Sequence, residues 1–228
     1  MSIFSHIVGF FQGGGYMMYP IAVVLVVGLA IAVERWIYLT VTAAGNRTLW
    51  NEISPLLAQG NFRQAVQLTS KSKAAIGQIL SYGLARIASA RRREDIEKAM
   101  EESLMDIMPR LEKRTHYIAT FANIATLLGL LGTVIGLINA FAAVATVNPA
   151  EKANLLSASI SVAMNCTAFG LITAVPLLLI HAVLQTKTTE LIDSLEMASV
   201  KFLNAVTERA TVPPVPERHS GQAAVQAS

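Results

Sequence analysis

The sequence predicts an all-α membrane protein whose three transmembrane helices extend into a helical cytoplasmic domain. Three observations predict it. Of 228 residues, 53% are hydrophobic and only 14% charged; there are three long apolar stretches; and basic residues gather between the first two of them. A soluble domain of this length carries more charge, and a chain wholly buried in lipid carries less. The net charge of +3 would suit a nucleic-acid partner, but the cations flank apolar stretches, where they report membrane orientation instead. No nucleic-acid partner is expected.

Residues 1–15 read as an interfacial helix and hinge. Ile3, Phe4, Ile7, Val8, Phe10 and Phe11 form an amphipathic surface, and Gly13-Gly14-Gly15 breaks it. The triple glycine has no strand before it and no Lys-Ser/Thr after it, so it is not a phosphate loop. No basic n-region or A-x-A site surrounds the first apolar run, and a cleaved signal peptide is not expected. Residues 16–39 are transmembrane helix 1, uncharged to Val33 and closed by Glu34, Arg35, Trp36 and Tyr38 at headgroup level.

Residues 40–117 form the cytoplasmic helical domain. Ile53, Leu56 and Leu57, then Ala65, Val66 and Leu68, then Ile76, Ile79, Leu80, Leu84 and Ile87 recur at helical spacing, with breaks at Gly60-Asn61 and at Ser70 to Lys73. The mixed-charge stretch from Arg91 to Arg114 is expected to be a solvated helix continuing into the second span. Transmembrane helix 2 covers residues 118–146, a periplasmic loop 147–156, and transmembrane helix 3 residues 157–184. Pro176 is tolerable there because neighbouring groups can satisfy the freed carbonyl. A cytoplasmic C-terminal helix follows over 185–210, patterned to pack against the insert, and the proline-bearing tail over 211–228 is expected to be disordered.

Orientation follows from charge. Thirteen of the eighteen Lys and Arg residues fall between Arg35 and Arg114, whereas the loop between spans two and three has only Lys152, offset by Glu151. The large insert is therefore cytoplasmic and the N-terminus periplasmic.

On a helix, Ala122, Thr126, Gly129, Thr133, Gly136 and Ala140 share one face of span two. Span three has one face with Ser157, Ser161 and Asn165 and another with Ala163, Thr167, Gly170 and Ala174. Two readings stand side by side. Gly129, Gly132, Gly136, Ala140, Ala163, Gly170 and Ala174 suit close helix packing, while Thr133, Thr167, Thr126, Asn165 and Ser161 suit the lining of a channel, Thr133 and Thr167 at similar depth. Asn165 is costly in hydrocarbon and must face protein or water. Cys166 is a small core residue and His181 an interfacial one. No Asp, Glu, Lys or Arg lies in the apolar cores, so any ion carrier belongs to a partner. No nucleophile-base set, metal-ligand cluster or nucleotide fingerprint occurs; no enzyme, cofactor or metal is expected.

The run Leu128-Gly-Leu-Leu-Gly-Thr-Val-Ile-Gly-Leu-Ile-Asn-Ala-Phe141 and the run Cys166-Thr-Ala-Phe-Gly-Leu-Ile-Thr-Ala-Val-Pro176 resemble the span-two and span-three motifs of the ExbB/TolQ/MotA ion-channel family. Phe10-Phe-Gln-Gly-Gly-Gly-Tyr-Met-Met-Tyr-Pro20 and Glu34-Arg35-Trp36 resemble the two ends of its first span. The three-span layout is closest to ExbB and TolQ. The resemblance implies a ring-forming subunit, a homopentamer, in a Gram-negative inner membrane. It implies a single-span ExbD/TolR/MotB-like partner that supplies the titrating aspartate, membrane lipids around the ring, and a TonB/TolA-like energy transducer. Such a motor converts ion flow, of protons or sodium, into work. Two departures stand out: Thr126 replaces the family's proline, and Val162 replaces the glutamate that ExbB and TolQ carry five residues before the span-three threonine. A non-conducting membrane scaffold that recruits cytoplasmic proteins is the alternative.

Overall fold

The computed structural model describes residues 13–87 and 92–211. The surface helix expected before Gly13 and the tail expected beyond Thr211 lie outside them. Every regular element among the described residues is helical: α1 Met18–Gln59, α2 Phe62–Lys71, α3 Ala75–Ile87, α4 Arg93–Glu112, α5 Thr115–Thr146 and α6 Lys152–Thr211. Among the described residues, three helices are long and apolar enough to cross a membrane.

Local chemistry sets the helix ends. α1 starts after Gly15, whose φ of 73° needs a residue without a β-carbon. It runs through Pro55 and stops at Gly60, φ 78°. There the amides of Gly60 and Asn61 turn back to the carbonyls of Leu57 and Leu56 at 3.1 and 2.9 Å, the paired bonds of a left-handed glycine stop. Asn61 then caps α2 by accepting from the Gln64 amide at 3.4 Å. The amide of Ile76, in the first turn of α3, donates at 3.2 Å to Oδ1 of Asn46, whose side chain is almost wholly buried.

One expectation about continuity changes. The charged helix does not run unbroken into the second span: α4 ends at Glu112, and Arg114 adopts a left-handed φ of 67° before α5 begins. A non-glycine residue in that region costs on the order of 1–2 kcal/mol, so neighbouring groups must hold it. The helix expected over 185–210 is present and runs on from the third apolar span. α6 continues through it because no breaker intervenes, and Leu184, Thr188, Leu191, Leu195 and Phe202 carry one buried stripe along its length.

The chain falls into two compact units. One joins Asn46–Leu104 to the residues from Leu195 on. Its interior holds Ile53, Leu57, Ile79, Leu80, Met100 and Phe202, and Gly83 gives Met100 and Phe202 room: a β-carbon there would stand 2.7 Å from Met100 Sδ and 2.9 Å from Phe202 Cε1. Val66, expected with the apolar face of its helix, is exposed.

The other unit joins the residues up to Gly45 to Met105–Ser194 and contains the apolar parts of α1, α5 and α6. Its outer faces carry Val23, Val26, Leu127, Ile138, Leu171 and Leu179, all exposed, as lipid-facing or partner-facing helices require. Gly45 in α1 has nothing within 4 Å of where a β-carbon would stand. Gly45→Ala is therefore expected to stabilise the protein by about 0.5–1 kcal/mol through helix propensity alone, measured as a raised midpoint of unfolding in mixed micelles.

Candidate functional site

In lipid, apolar side chains gain little by leaving one apolar surroundings for another, so helices associate where their backbones can approach closely. The sequence of α5 provides for this with small residues every three or four positions. Ala122, Ala125, Gly129, Gly132 and Ala140 are buried, and Gly136 half-buried. α6 answers with Ala163, Cys166, Gly170 and Ala174, all buried. A β-carbon at Gly129 would lie 3.2 Å from Thr167 Cα and 3.3 Å from Gly170 Cα; one at Gly170 would lie 2.8 Å from the Ala125 carbonyl oxygen. At Gly136 the neighbour is the Ala163 β-carbon, at 2.8 Å. At Gly129 and Gly170 backbone meets backbone, with no side chain between to give way, while at Gly132 and Gly136 the facing groups are the side chains of Cys166 and Ala163.

The hydroxyls sit along this seam and at its edge. Thr167 Oγ1 donates to the Gly129 carbonyl at 2.9 Å, a bond between helices. In an α-helix that same carbonyl accepts the amide of the residue four further on, Thr133, so one oxygen joins the two threonine positions. Thr133 is half-buried and turns its own hydroxyl back to the Leu130 carbonyl at 2.6 Å. Thr126 is exposed and bonds back to Ala122 at 3.2 Å. The face drawn through Ala122, Thr126, Gly129 and Thr133 is thus divided: its glycines and alanines meet α6, while Thr126 stands outside the packed seam.

The N-terminal part of α6 meets the chain before α1. Asn165, half-buried, donates from Nδ2 to the Gly13 carbonyl at 3.4 Å. Val162 Cγ1 would lie 3.3 Å from a β-carbon at Gly15. Ser161 is exposed. Gly13 and Gly15 therefore lie against Asn165 and Val162 of α6.

At the opposite end the bundle is tied by charge. Arg35, 4% exposed, donates from Nη2 to the Leu111 carbonyl, one of the last acceptors of α4. Its guanidinium also lies 4.8 Å from the centre of the Tyr38 ring. Glu34 pairs with Arg114 at 2.6 Å, and Lys187 Nζ sits 3.5 Å over the Trp36 ring. Sequence reasoning placed Glu34 and Arg35 at headgroup level and missed that Arg35 is buried; nothing in its local pattern distinguishes an arginine facing lipid heads from one capping a helix. It also passed over Thr173, fully buried in the middle of α6.

A model of the MotA/TolQ/ExbB proton channel family matches residues 71–197, more than half of the chain and all of the seam. The chain belongs to this family. It is 25% identical over 199 residues to a putative biopolymer transport protein ExbB homolog of Methanothermobacter thermautotrophicus, covering 86% of this chain and 69% of that one. It is 29% identical over 153 residues to the biopolymer transport protein exbB1 of Vibrio cholerae, covering 60% and 66%. A third relative, the biopolymer transport protein ExbB of Pseudomonas putida, is 26% identical over 172 residues and is matched over only 52% of its length. Among solved structures, C. jejuni MotAB is similar in fold, with a TM-score of 0.57 at 16% identity over 90% of this chain and 86% of that one. Within the MotA/TolQ/ExbB family, then, this chain has a glycine-threonine seam and lacks a carboxylate in its apolar cores.

Proposed function

We propose that this chain is the channel-forming subunit of an inner-membrane motor driven by ions, most simply protons, and that it is not an enzyme. Five copies enclose the single transmembrane helix region of an ExbD/TolR/MotB-like partner, whose aspartate takes up and releases the ion. The periplasmic N-terminus, cytoplasmic insert and C-terminus follow from the placement of Lys and Arg. The motion then feeds energised transport or envelope work, through a TonB/TolA-like transducer where one is present.

One observation carries this reading: the Thr167 hydroxyl is fixed on the Gly129 carbonyl, next to Thr133, in a seam with no backbone slack. Oxygen donors held at that depth can replace part of the hydration of a passing cation or hydrogen-bond a partner's carboxyl group. Since the apolar cores carry no acid of their own, the titrating step falls to the partner.

The test is ion flux in proteoliposomes containing the subunit with its single-span partner. Thr133→Val and Thr167→Val are isosteric, so both variants should assemble. Each is expected to lower driven flux by at least about ten-fold, the loss of a charge-assisted contact worth roughly 1.5–3 kcal/mol. Full flux in both variants would remove these residues from the channel. No flux in the wild-type complex, with binding of cytoplasmic proteins retained, would favour the scaffold.

A further inference from the structure

Burying a polar atom without a partner costs free energy, so each such atom in a native bundle has a use or holds water. Among the described residues of the membrane unit, four side-chain atoms meet this description: the hydroxyls of Thr115 and Thr173, Nε of Arg35 and Nε2 of His181. They lie on α1, α5 and α6 from the level of Thr173 to the charged end. At Thr173 a second polar group is freed: Pro176 has no N–H, so the Ile172 carbonyl lacks its helical donor. His181 follows Thr173 by about 12 Å along α6 and precedes Lys187 by about 9 Å, at 1.5 Å rise per residue. It therefore stands between the apolar core and the charged ring.

Across from it on α5 is His116, exposed, with ring centres 6.4 Å apart and planes tilted by 42°. Two imidazoles in a direct hydrogen bond would have centres about 5 Å apart, and one bridging water widens this to about 6–7 Å. The observed separation fits the bridged arrangement. Close by, Glu34 is engaged with Arg114, Arg35 with the Leu111 carbonyl and Tyr38, and Lys187 with Trp36. The two imidazoles stand beside these engaged groups, and a neutral imidazole has one ring nitrogen that accepts a proton and one that donates it.

We propose that His181 and His116 form a proton-release site at the cytoplasmic end of each subunit, fed by water from the level of Thr173. This rests on the channel reading above and extends it: the partner's acid serves the middle of the membrane, and the subunit supplies the exit. His181, neutral with its proton on Nδ1, accepts a proton on Nε2 from a hydrated proton. The imidazolium passes that proton through the bridging water to neutral His116, which returns it to bulk water. One proton enters, one leaves, and both rings end neutral.

The experiment uses the complex of subunit and partner in liposomes, with proton flux followed by an internal pH dye under an imposed potential. His181→Gln keeps a hydrogen-bonding side chain of similar reach but cannot carry a proton. It is expected to lower flux at least about ten-fold, below the usual range for a positioned acid-base group, and to abolish the dependence of flux on cytoplasmic pH between about 5 and 8. His116→Gln should weaken that dependence. Wild-type flux and pH profile in His181→Gln would overturn the site while leaving the channel standing. If the wild-type complex conducts no protons, the channel reading fails, and nitrogen-15 NMR of the full-length subunit in lipid nanodiscs decides on the site alone. There the His181 ring should titrate in two coupled steps that become one in His116→Gln; a titration unchanged by that substitution overturns the pair.

Discussion

Gly170→Val is expected to destabilise the membrane unit by about 3 kcal/mol, the upper part of the usual range for overpacking. Even the first added carbon would stand 2.8 Å from the Ala125 carbonyl oxygen and 3.0 Å from Gly129 Cα, and both are backbone. Neither can rotate away, so α5 and α6 must separate. The helix-propensity gain from removing a glycine is at most about 1 kcal/mol, which the overpacking term outweighs. Separation by 1 Å would also stretch the 2.9 Å bond between Thr167 and Gly129 beyond hydrogen-bonding range. Stability and flux should therefore fall together. Reversible unfolding in mixed micelles measures the first, and a Gly170→Val protein with the wild-type midpoint would show that the seam yields more easily than its backbone contacts imply.

Arg35→Ala is expected to cost a further class of interaction, about 2–3 kcal/mol, the range for a hydrogen bond to a charged group with a buried acceptor left unpaired. The Leu111 carbonyl would lose its donor at the end of α4, and the stacking on Tyr38 would go with it. The neighbouring pair of Glu34 and Arg114 is about half exposed on both sides and contributes under about 1 kcal/mol. The burial of Arg35 thus decides which of the two adjacent charges matters. Lysine should not restore the loss, because an ammonium cannot donate in the plane of a fork while stacking on a ring. Hydrogen exchange gives the local readout: amides around Arg110 to Thr115 should lose protection in Arg35→Ala and Arg35→Lys alike, and unchanged protection would show that Arg114 holds its left-handed turn without Arg35.

Much of this structure was legible in the sequence because lipid makes a severe demand. A segment in hydrocarbon must satisfy every backbone group internally, so a long apolar run can only be a helix. The stops were legible where a residue has a special backbone capacity, as at Gly60 and Asn61. The break at Arg114 was not, because arginine has no preference for the left-handed region, and the groups its side chain meets, such as Glu34, lie up to eighty positions away. The continuation of α6 beyond its span agrees with helices that extend into the cytoplasmic domain, since a membrane boundary changes the solvent around a helix without changing its backbone.

The candidate site divides along the same line. Spacing alone put Gly129, Gly132, Gly136, Ala163, Gly170 and Ala174 on narrow helix faces, because side-chain direction on a helix is a matter of counting. It could not say which hydroxyls would look inward. Thr126 and Thr133 share a stripe by arithmetic, yet Thr126 is exposed, and Thr167 finds its partner on another helix.

The sequence by itself determined the helices, their three apolar spans, the family and the absence of an acid in the membrane core, because each follows from residue type and from periods within a few turns. Only the tertiary structure decided that Arg35 is buried on the Leu111 carbonyl, that Thr173 and His181 keep buried polar atoms without partners, and that His181 comes to face His116. Those facts depend on which helix lies opposite, and the packing of residues far apart in the chain is set by the fit of whole surfaces rather than by any local pattern.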